Sequence, residues 1–301
     1  MKKAKVSMDL KIVLLGAGNA LGQALIRQGA ERDISFFIPR PAEGSWTPAT
    51  LTELMDQVRP DVVINLAYYY DWFQAGRVEP AKFVHQAEAV ERLAQLCKHY
   101  QSILIQPSSY RVFDGFRATA YNEKHECNPL SPRGQALLAM EESVRSICSR
   151  YVIIRFGWLL DDSLDGMLGR VLQRAQAHES MAMADDRRGN PTPVDDAARV
   201  LVAILNQLDC NAPLWGTYQY GGQEAATTLA VAEAILQEAK AWCSDMRLEV
   251  IPQPHAQFED AQIEPQHGVL DCKKITHVFG IKPRSWRTGL AELLDNYYRN
   301  M

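Results

Sequence analysis

No stretch of the 301 residues approaches the ~20 consecutive apolar positions that a membrane span needs, so no bilayer crossing is expected. A basic excess is also lacking. The 32 Lys and Arg face 36 Asp and Glu, for a net charge of −4, and there is no long basic run, which argues against nucleic acid as a partner. The six cysteines (Cys97, Cys127, Cys148, Cys210, Cys243, Cys272) contain no close pair, and the seven histidines fall at no ligand-like spacing. Neither a disulfide framework nor a zinc site is therefore expected. His125-Glu126-Cys127 is the one tight cluster, and adjacent residues cannot easily all reach one tetrahedral ion. The thiols are expected to be free, as in a reducing compartment. Met1-Lys2-Lys3 resembles a secretory n-region, but the apolar run behind it ends in Gly16-Ala17-Gly18 with no small-residue cleavage site. A cytoplasmic location is expected. Internal repeats and low-complexity segments are absent as well. At 47% hydrophobic and 23% charged residues the chain has the composition of a folded globular protein. It is long enough to bury roughly three quarters of its unfolded surface without a disulfide or metal.

What is present is alternation. Short apolar runs predict strands over Lys11–Leu15, Ile34–Ile38, Asp61–Asn65, Ile103–Gln106 and Tyr151–Arg155. Between them, helical spacing predicts helices over Ala20–Gln28, Thr50–Gln57 and Ala81–His99. Another helix runs from the Ser131-Pro132 cap to about Cys148. This is the pattern of a parallel sheet covered on both faces. The second half predicts helices over Gly166–Ala177, from Thr192-Pro193 to Leu208, over Thr228–Ala241 and over Trp286–Tyr298. It predicts strands at Thr217–Tyr220 and Leu248–Ile251, and a loop over Gln253–Glu264. The fold class is α/β, a Rossmann-type doubly wound parallel sheet with a smaller C-terminal substrate-binding domain. The first domain spans 1–159, with parts of 192–222 packing back onto it, and the second covers most of 160–301.

The first predicted strand runs directly into Gly16-Ala17-Gly18-Asn19-Ala20-Leu21-Gly22 and then a helix. A glycine turn in that position lets backbone N–H groups approach a pyrophosphate at a helix N-terminus. Gly16 and Gly22 fit a G-x-x-G-x-x-G turn in which Asn19 takes the middle place. Asn tolerates left-handed backbone angles, so the turn is expected to survive.

With this turn the chain resembles the extended short-chain dehydrogenases/reductases, and among them the dTDP-4-dehydrorhamnose reductases. Arg59-Pro60-Asp61-Val62-Val63-Ile64-Asn65-Leu66-Ala67 is similar to that family's third strand and its Asn-Ala-Ala end. Ser108-Ser109-Tyr110-Arg111-Val112-Phe113-Asp114-Gly115 is similar to Ser-Thr-Asp-Tyr-Val-Phe-x-Gly. Arg155-Phe156-Gly157-Trp158 is similar to Arg-Thr-Ser-Trp, and Asp186-Arg187-Arg188-Gly189-Asn190-Pro191-Thr192 to Asp-Gln-x-Gly-x-Pro-Thr. Trp286 and Gly289-Leu290 match a terminal Trp…Gly-Leu. The resemblance covers nearly the whole chain.

It implies reduction of a nucleotide-linked keto-sugar. In the family a Tyr-x-x-x-Lys pair protonates the oxygen while hydride arrives, and a Ser or Thr orients the carbonyl. Ser109 stands at the Ser/Thr place, but Arg133 stands at the Tyr place and Leu137 at the Lys place, with Gly134 and Glu141 holding the register. An Arg guanidinium is a poor proton donor at neutral pH, and a Leu cannot bind a ribose hydroxyl. Tyr110, beside Ser109, and Tyr68–Tyr70 are the candidate substitute acids. Glu264-Pro265 stands where the family has Arg-Pro, and Gln86 where it has Asn.

The dinucleotide is expected at Gly16, Gly18, Asn19, Ala20, Leu21 and Gly22, and at Asn65, Leu66 and Ala67. The second strand ends without an acidic residue but with Arg40 nearby, which favours NADP(H) over NAD(H). Arg155, Trp158, Pro191 and Thr192 are expected in the walls of a substrate pocket. The leading expectation is a catalytically silent or atypical dinucleotide-binding protein that also takes a nucleotide ligand and regulates a protein partner. The alternatives are an active NADP-dependent reductase or epimerase of a nucleotide-linked sugar with a relocated proton donor, and an enzyme of different chemistry that uses Arg133 to hold an anionic substrate. A homodimer through Ala81–His99 and Ser131–Cys148 is implied by the resemblance.

Overall fold

The computed structural model describes residues 10–41, 45–73, 79–208, 214–243 and 247–299. The chain begins β1 (Ile12–Leu15), α1 (Ala20–Ala30), β2 (Phe36–Phe37), α2 (Pro48–Val58) and β3 (Val62–Asn65). It continues α3 (Tyr69–Phe73), α4 (Pro80–Tyr100), β4 (Ile103–Ser109), a 3-10 turn over Tyr110–Val112, α5 (Pro132–Ile147) and β5 (Tyr151–Phe156). Next come β6 (Trp158–Leu160), α6 (Met167–Gln176), β7 (Ser180–Ala184), β8 (Arg188–Gly189), β9 (Pro191–Pro193), α7 (Val194–Leu208) and β10 (Gly216–Tyr220). The remaining elements are β11 (Ala226–Thr227), α8 (Thr228–Ala239), β12 (Glu249–Gln253), β13 (His267–Gly268), α9 (Lys273–Phe279) and α10 (Trp286–Arg299).

Six strands form one parallel sheet in the order β10-β5-β4-β3-β1-β2. β1, β3 and β4 are buried at every residue, and residues 12–15, 62–64 and 103–105 within them read as unbroken apolar runs rather than alternating ones. The chain reverses its winding between β1 and β3, and the crevice above their C-terminal ends is where such sheets bind ligands. β10 arrives last and closes the β5 side, with Tyr220 opposite Phe156. α7, just before it, is tied to α1 through Arg27 and Asp195 at 2.8 Å.

Caps explain why several helices start where they do. Ser131 Oγ accepts from Gly134 N, with Pro132 filling the first helical position of α5. Thr47 and Thr50 form a reciprocal capping box on α2. The strand expected over Ile34–Ile38 shortens to two residues because it lies at the sheet edge, leaving Phe37 and Ile38 exposed. α3, α9, β7 and the short strands β6, β8, β9, β11 and β13 lie outside the expected elements. Segments that short carry too few periods to register in a sequence pattern. The Gln253–Glu264 loop contains one 3-10 turn, His255–Gln257. Among the described residues no helix is long and apolar enough to cross a membrane. Nor does any group of three or more His, Cys, Asp or Glu gather where it could hold a metal. Cys210 lies outside the described residues.

Candidate functional site

The glycine turn lies at the switch point, against the end of β3. Gly16 has φ +75°, and a Cβ there would sit 2.0 Å from the Leu66 carbonyl oxygen, so only glycine fits. A Cβ at Gly18 would meet only open space, which leaves room for a ligand's phosphates to come close to the backbone. Asn19 departs from expectation. Its backbone is extended, at φ −84°, and no left-handed angle is required of it. Its side chain staples the turn instead: Oδ1 accepts from Gly22 N at 2.8 Å, and Nδ2 donates to the Leu66 carbonyl at 2.9 Å. Asn65 locks the other wall, donating to Gln106 Oε1 at 2.8 Å and accepting from Ala67 N at 3.2 Å. The turn thus brings Gly16, Asn19, Leu66 and Ala67 together under the N-terminus of α1, where Ala20 and Leu21 begin the helix. The positive helix end there suits an anion. Arg40 is exposed three residues beyond β2 and makes no ion pair among the described residues.

The second centre lies beyond β4. The 3-10 turn after Ser109 sends Tyr110 and Arg111 toward Glu264, from the loop before β13. Arg111 Nε reaches both Glu264 carboxylate oxygens, at 2.8 and 2.9 Å, and Arg187 Nη2 reaches one at 2.9 Å. The Tyr110 hydroxyl donates to Glu264 Oε2 at 3.2 Å, and Arg133 Nη1 lies 3.8 Å from Oε1. Arg187 also pairs with Asp260 at 3.3 Å. Arg111 Nη1 donates to the carbonyls of Trp72 and Phe73, anchoring α3 to the same centre.

Burial alone would raise the pKa of Glu264, but Arg111 and Arg187 outweigh it and hold the carboxyl below the usual glutamate range. Burial, and then the like charge of Arg111, push Arg133 below the ordinary arginine value. Tyr110 titrates above its usual value because burial outweighs Arg111, whose charge favours the phenolate.

The sequence reading singles out Arg133 and Tyr110 here but gives Arg111 and Arg187 no role. A usable signal is nonetheless present in the matched segments. Arg111 and Arg133 stand at Tyr places, Arg187 at a Gln place and Glu264 at an Arg place. With Tyr110 at an Asp place, five changes that alter charge converge on one carboxylate, with a net gain of two positive charges.

Other expected site residues are placed differently. Leu137 is 1% exposed and lies in the core with Met140 and Val144, so nothing cationic takes the Lys place. Ser109 is buried and its Oγ accepts from Arg111 N at 3.4 Å. Arg155, expected in a pocket wall, is instead buried as the partner of Glu141, at 2.9 and 2.6 Å, and stacks over Phe113. Ser108 donates to the same carboxylate at 2.6 Å. A buried carboxylate needs such partners, which explains why Arg155 stays inside. Trp158 and Pro191 pair across β6 and β9, and the Trp158 ring meets Tyr110 edge-on with centroids 6.5 Å apart. Thr192 is buried and structural, its Oγ1 bonding Asn190 O and Gly222 N.

Of the alternative tyrosines, Tyr69 donates to Asp161 at 3.0 Å and Tyr68 to the Trp46 carbonyl, while Tyr70 is half exposed. Gln86 bridges Trp72 Nε1 and Asp71, fixing α3 to α4.

The fold has known counterparts. dTDP-4-dehydrorhamnose reductase from Aggregatibacter actinomycetemcomitans is 25% identical over 245 residues, covering 80% of this chain and 82% of its own. The Burkholderia thailandensis enzyme of the same name is 26% identical, covering 92% of this chain and 96% of its own. Among solved structures, a dTDP-4-dehydrorhamnose reductase from Clostridium acetobutylicum superposes with TM-score 0.81 at 22% identity, covering 97% of this chain and 100% of its own. The Bacillus anthracis enzyme in complex with NADP gives 0.79 at 19% identity, covering 98% and 100%. A UDP-glucose 4-epimerase from Thermus thermophilus, complexed with NAD, gives 0.76 at 17% identity, covering 97% and 100%. The RmlD substrate binding domain family matches residues 10–299, and the chain belongs to that family.

Proposed function

We propose that the chain is an NAD(P)-dependent oxidoreductase acting on a nucleotide-linked sugar, with Tyr110 as the relocated proton donor. One observation carries this reading: the Tyr110 hydroxyl and the Arg133 guanidinium meet on the same Glu264 carboxylate. A phenol therefore reaches, from the loop after β4, the region that the residue at the Tyr place also reaches. The dinucleotide, seated on the glycine turn, would supply the hydride. Tyr110 gives its proton to the oxygen that becomes a hydroxyl. Arg111, whose guanidinium carbon lies 5.1 Å from the Tyr110 ring centroid, then favours the phenolate, as a lysine does in the family pair.

NADP in the Bacillus anthracis relative and NAD in the Thermus epimerase support a nicotinamide dinucleotide, and Arg40 favours NADP. Calorimetry with NADPH and NADH tests the latter. Tighter NADPH binding that Arg40→Ala removes is expected, and equal affinity takes the role from Arg40.

The proton-donor assignment is tested by following NADPH oxidation with a dTDP-4-dehydro-sugar. Tyr110→Phe should lower kcat by about 10²–10⁴-fold, the usual worth of general acid catalysis, with NADPH affinity unchanged. An unaffected Phe variant refutes the assignment. A wild-type protein that binds NADPH but turns nothing over favours the second reading, a regulatory dinucleotide-binding protein. Leu137 buried in the core at the Lys place is the observation behind that second reading.

A further inference from the structure

We infer that the seat formed by Arg111, Arg133 and Arg187 receives a carboxylate carried by the sugar itself, so that the ligand is a nucleotide-linked sugar acid, and that Glu264 holds the seat until it arrives. The inference rests on the nucleotide-sugar reading above and narrows it.

Three guanidiniums reach the seat from three separate segments: the turn after β4, the first turn of α5 and the connection between β7 and β8. They converge on one two-oxygen acceptor. Arg111 Nε is shared between both oxygens and Arg187 Nη2 takes one of them, charge-assisted hydrogen bonds of the kind that carboxylates and phosphates accept. Position separates these two sources. The seat adjoins Ser109, whose Oγ accepts from Arg111 N, and so lies at the reacting end of the crevice. The glycine turn, at the end of β1, is where the dinucleotide's phosphates would sit, so the seat beside Ser109 is left to the second ligand. Its negative charge is assigned to the sugar ring, and UDP alone tests that assignment.

Glu264 is supported so that it can leave. It ends a run of tight turns, with Ile263 N bonding Asp260 O and Glu264 N bonding the same carbonyl. Gln262 and Ile263 in that run are exposed. Its backbone carbonyl lies 3.1 Å from the His255 ring nitrogen, and withdrawing its side chain breaks no strand of the main sheet. The three arginines cannot be left without an anion inside the protein, because stripping a buried ion pair of one partner is costly. A ligand carboxylate replaces Glu264 at little net cost. A neutral sugar offers no replacement, so Glu264 stays and the seat remains shut. The site thereby favours acidic sugars over neutral ones.

The test is calorimetry on the intact wild-type chain with NADPH present. UDP-glucose is compared with UDP-glucuronic acid, dTDP-glucose with dTDP-glucuronic acid, and UDP is run alone. Each uronate should bind about 10–100-fold tighter than its matching glucoside, the range for charge-assisted hydrogen bonds. Arg133→Gln and Arg187→Gln should each shrink that ratio toward one. Equal affinity for a uronate and its glucoside overturns the inference while leaving the nucleotide-sugar reading intact. UDP alone binding as tightly as UDP-glucuronic acid assigns the seat to phosphate and overturns it too. If no sugar nucleotide binds while NADPH does, the nucleotide-sugar reading fails with it. The wild-type comparison decides the matter even if a variant does not fold.

Discussion

Replacing Glu264 by Gln keeps the shape of the central acceptor and removes its charge. Arg111, Arg187 and Tyr110 are within hydrogen-bond distance of it and Arg133 lies at 3.8 Å, all of them buried or half-buried. Removing one partner of a buried ion pair costs about 3–5 kcal/mol. The Gln oxygen still accepts from part of this set, so about 3 kcal/mol is expected at pH 7. For a chain longer than 250 residues that corresponds to a fall in Tm of roughly 6 °C.

The pH dependence has a definite sign. The folded-state pKa of Glu264 is depressed, because Arg111 and Arg187 outweigh burial, so its contribution is present above the ordinary glutamate value of 4.5. That contribution is lost as pH falls through the lower folded-state value. Urea titrations of both proteins should therefore show a constant stability gap from pH 7 to about pH 5, narrowing below about pH 4.5. An E264Q protein as stable as wild type at pH 7, or a gap that widens on acidification, would refute the view that this carboxylate neutralises the arginines.

Four further outcomes are expected. Arg133→Tyr with Leu137→Lys should raise turnover of a dTDP-4-dehydro-sugar above either single variant, because the pair acts as a unit, and rates no higher than the singles would count against the alignment of these positions. The Lys enters a core position, so Leu137→Lys alone should lower stability by more than the ~1.5–3 kcal/mol of the lost leucine burial, read by urea unfolding. Gly16→Ala forces a methyl onto the Leu66 carbonyl at a left-handed φ. It should abolish NADPH binding or folding outright, and a normal calorimetric titration would show that the turn can move aside. Light scattering at micromolar concentration checks the pairing through α4 and α5 that the resemblance implies, and a monomer refutes it.

The sheet was legible because buried parallel strands announce themselves as unbroken apolar runs, and α5 because Ser131-Pro132 is a strong local start signal. Local signals stop where a contact spans the chain. Arg111 and Glu264 are 153 positions apart, and nothing near either residue reports the other. Arg155 looked like a pocket residue because its motif matched. Its role is set by Glu141, a buried charge that no periodicity reveals. Asn19 shows the opposite case. The turn was read correctly, but through backbone tolerance, whereas the side chain does the holding.

The place of β10 in the sheet bears on how the protein is made. β5 is complete at Phe156, but the strand that covers its outer edge begins at Gly216. A ribosome adds about 5–20 residues per second, so the buried Val152, Ile153 and Ile154 of β5 wait roughly 3–12 s beside an unpaired backbone before their neighbour is synthesised. Through that interval the nascent chain presents an apolar edge able to pair with another chain. Holding factors that bind such edges, and a slower temperature of expression, should therefore raise the yield of this protein more than changes made to its finished surface.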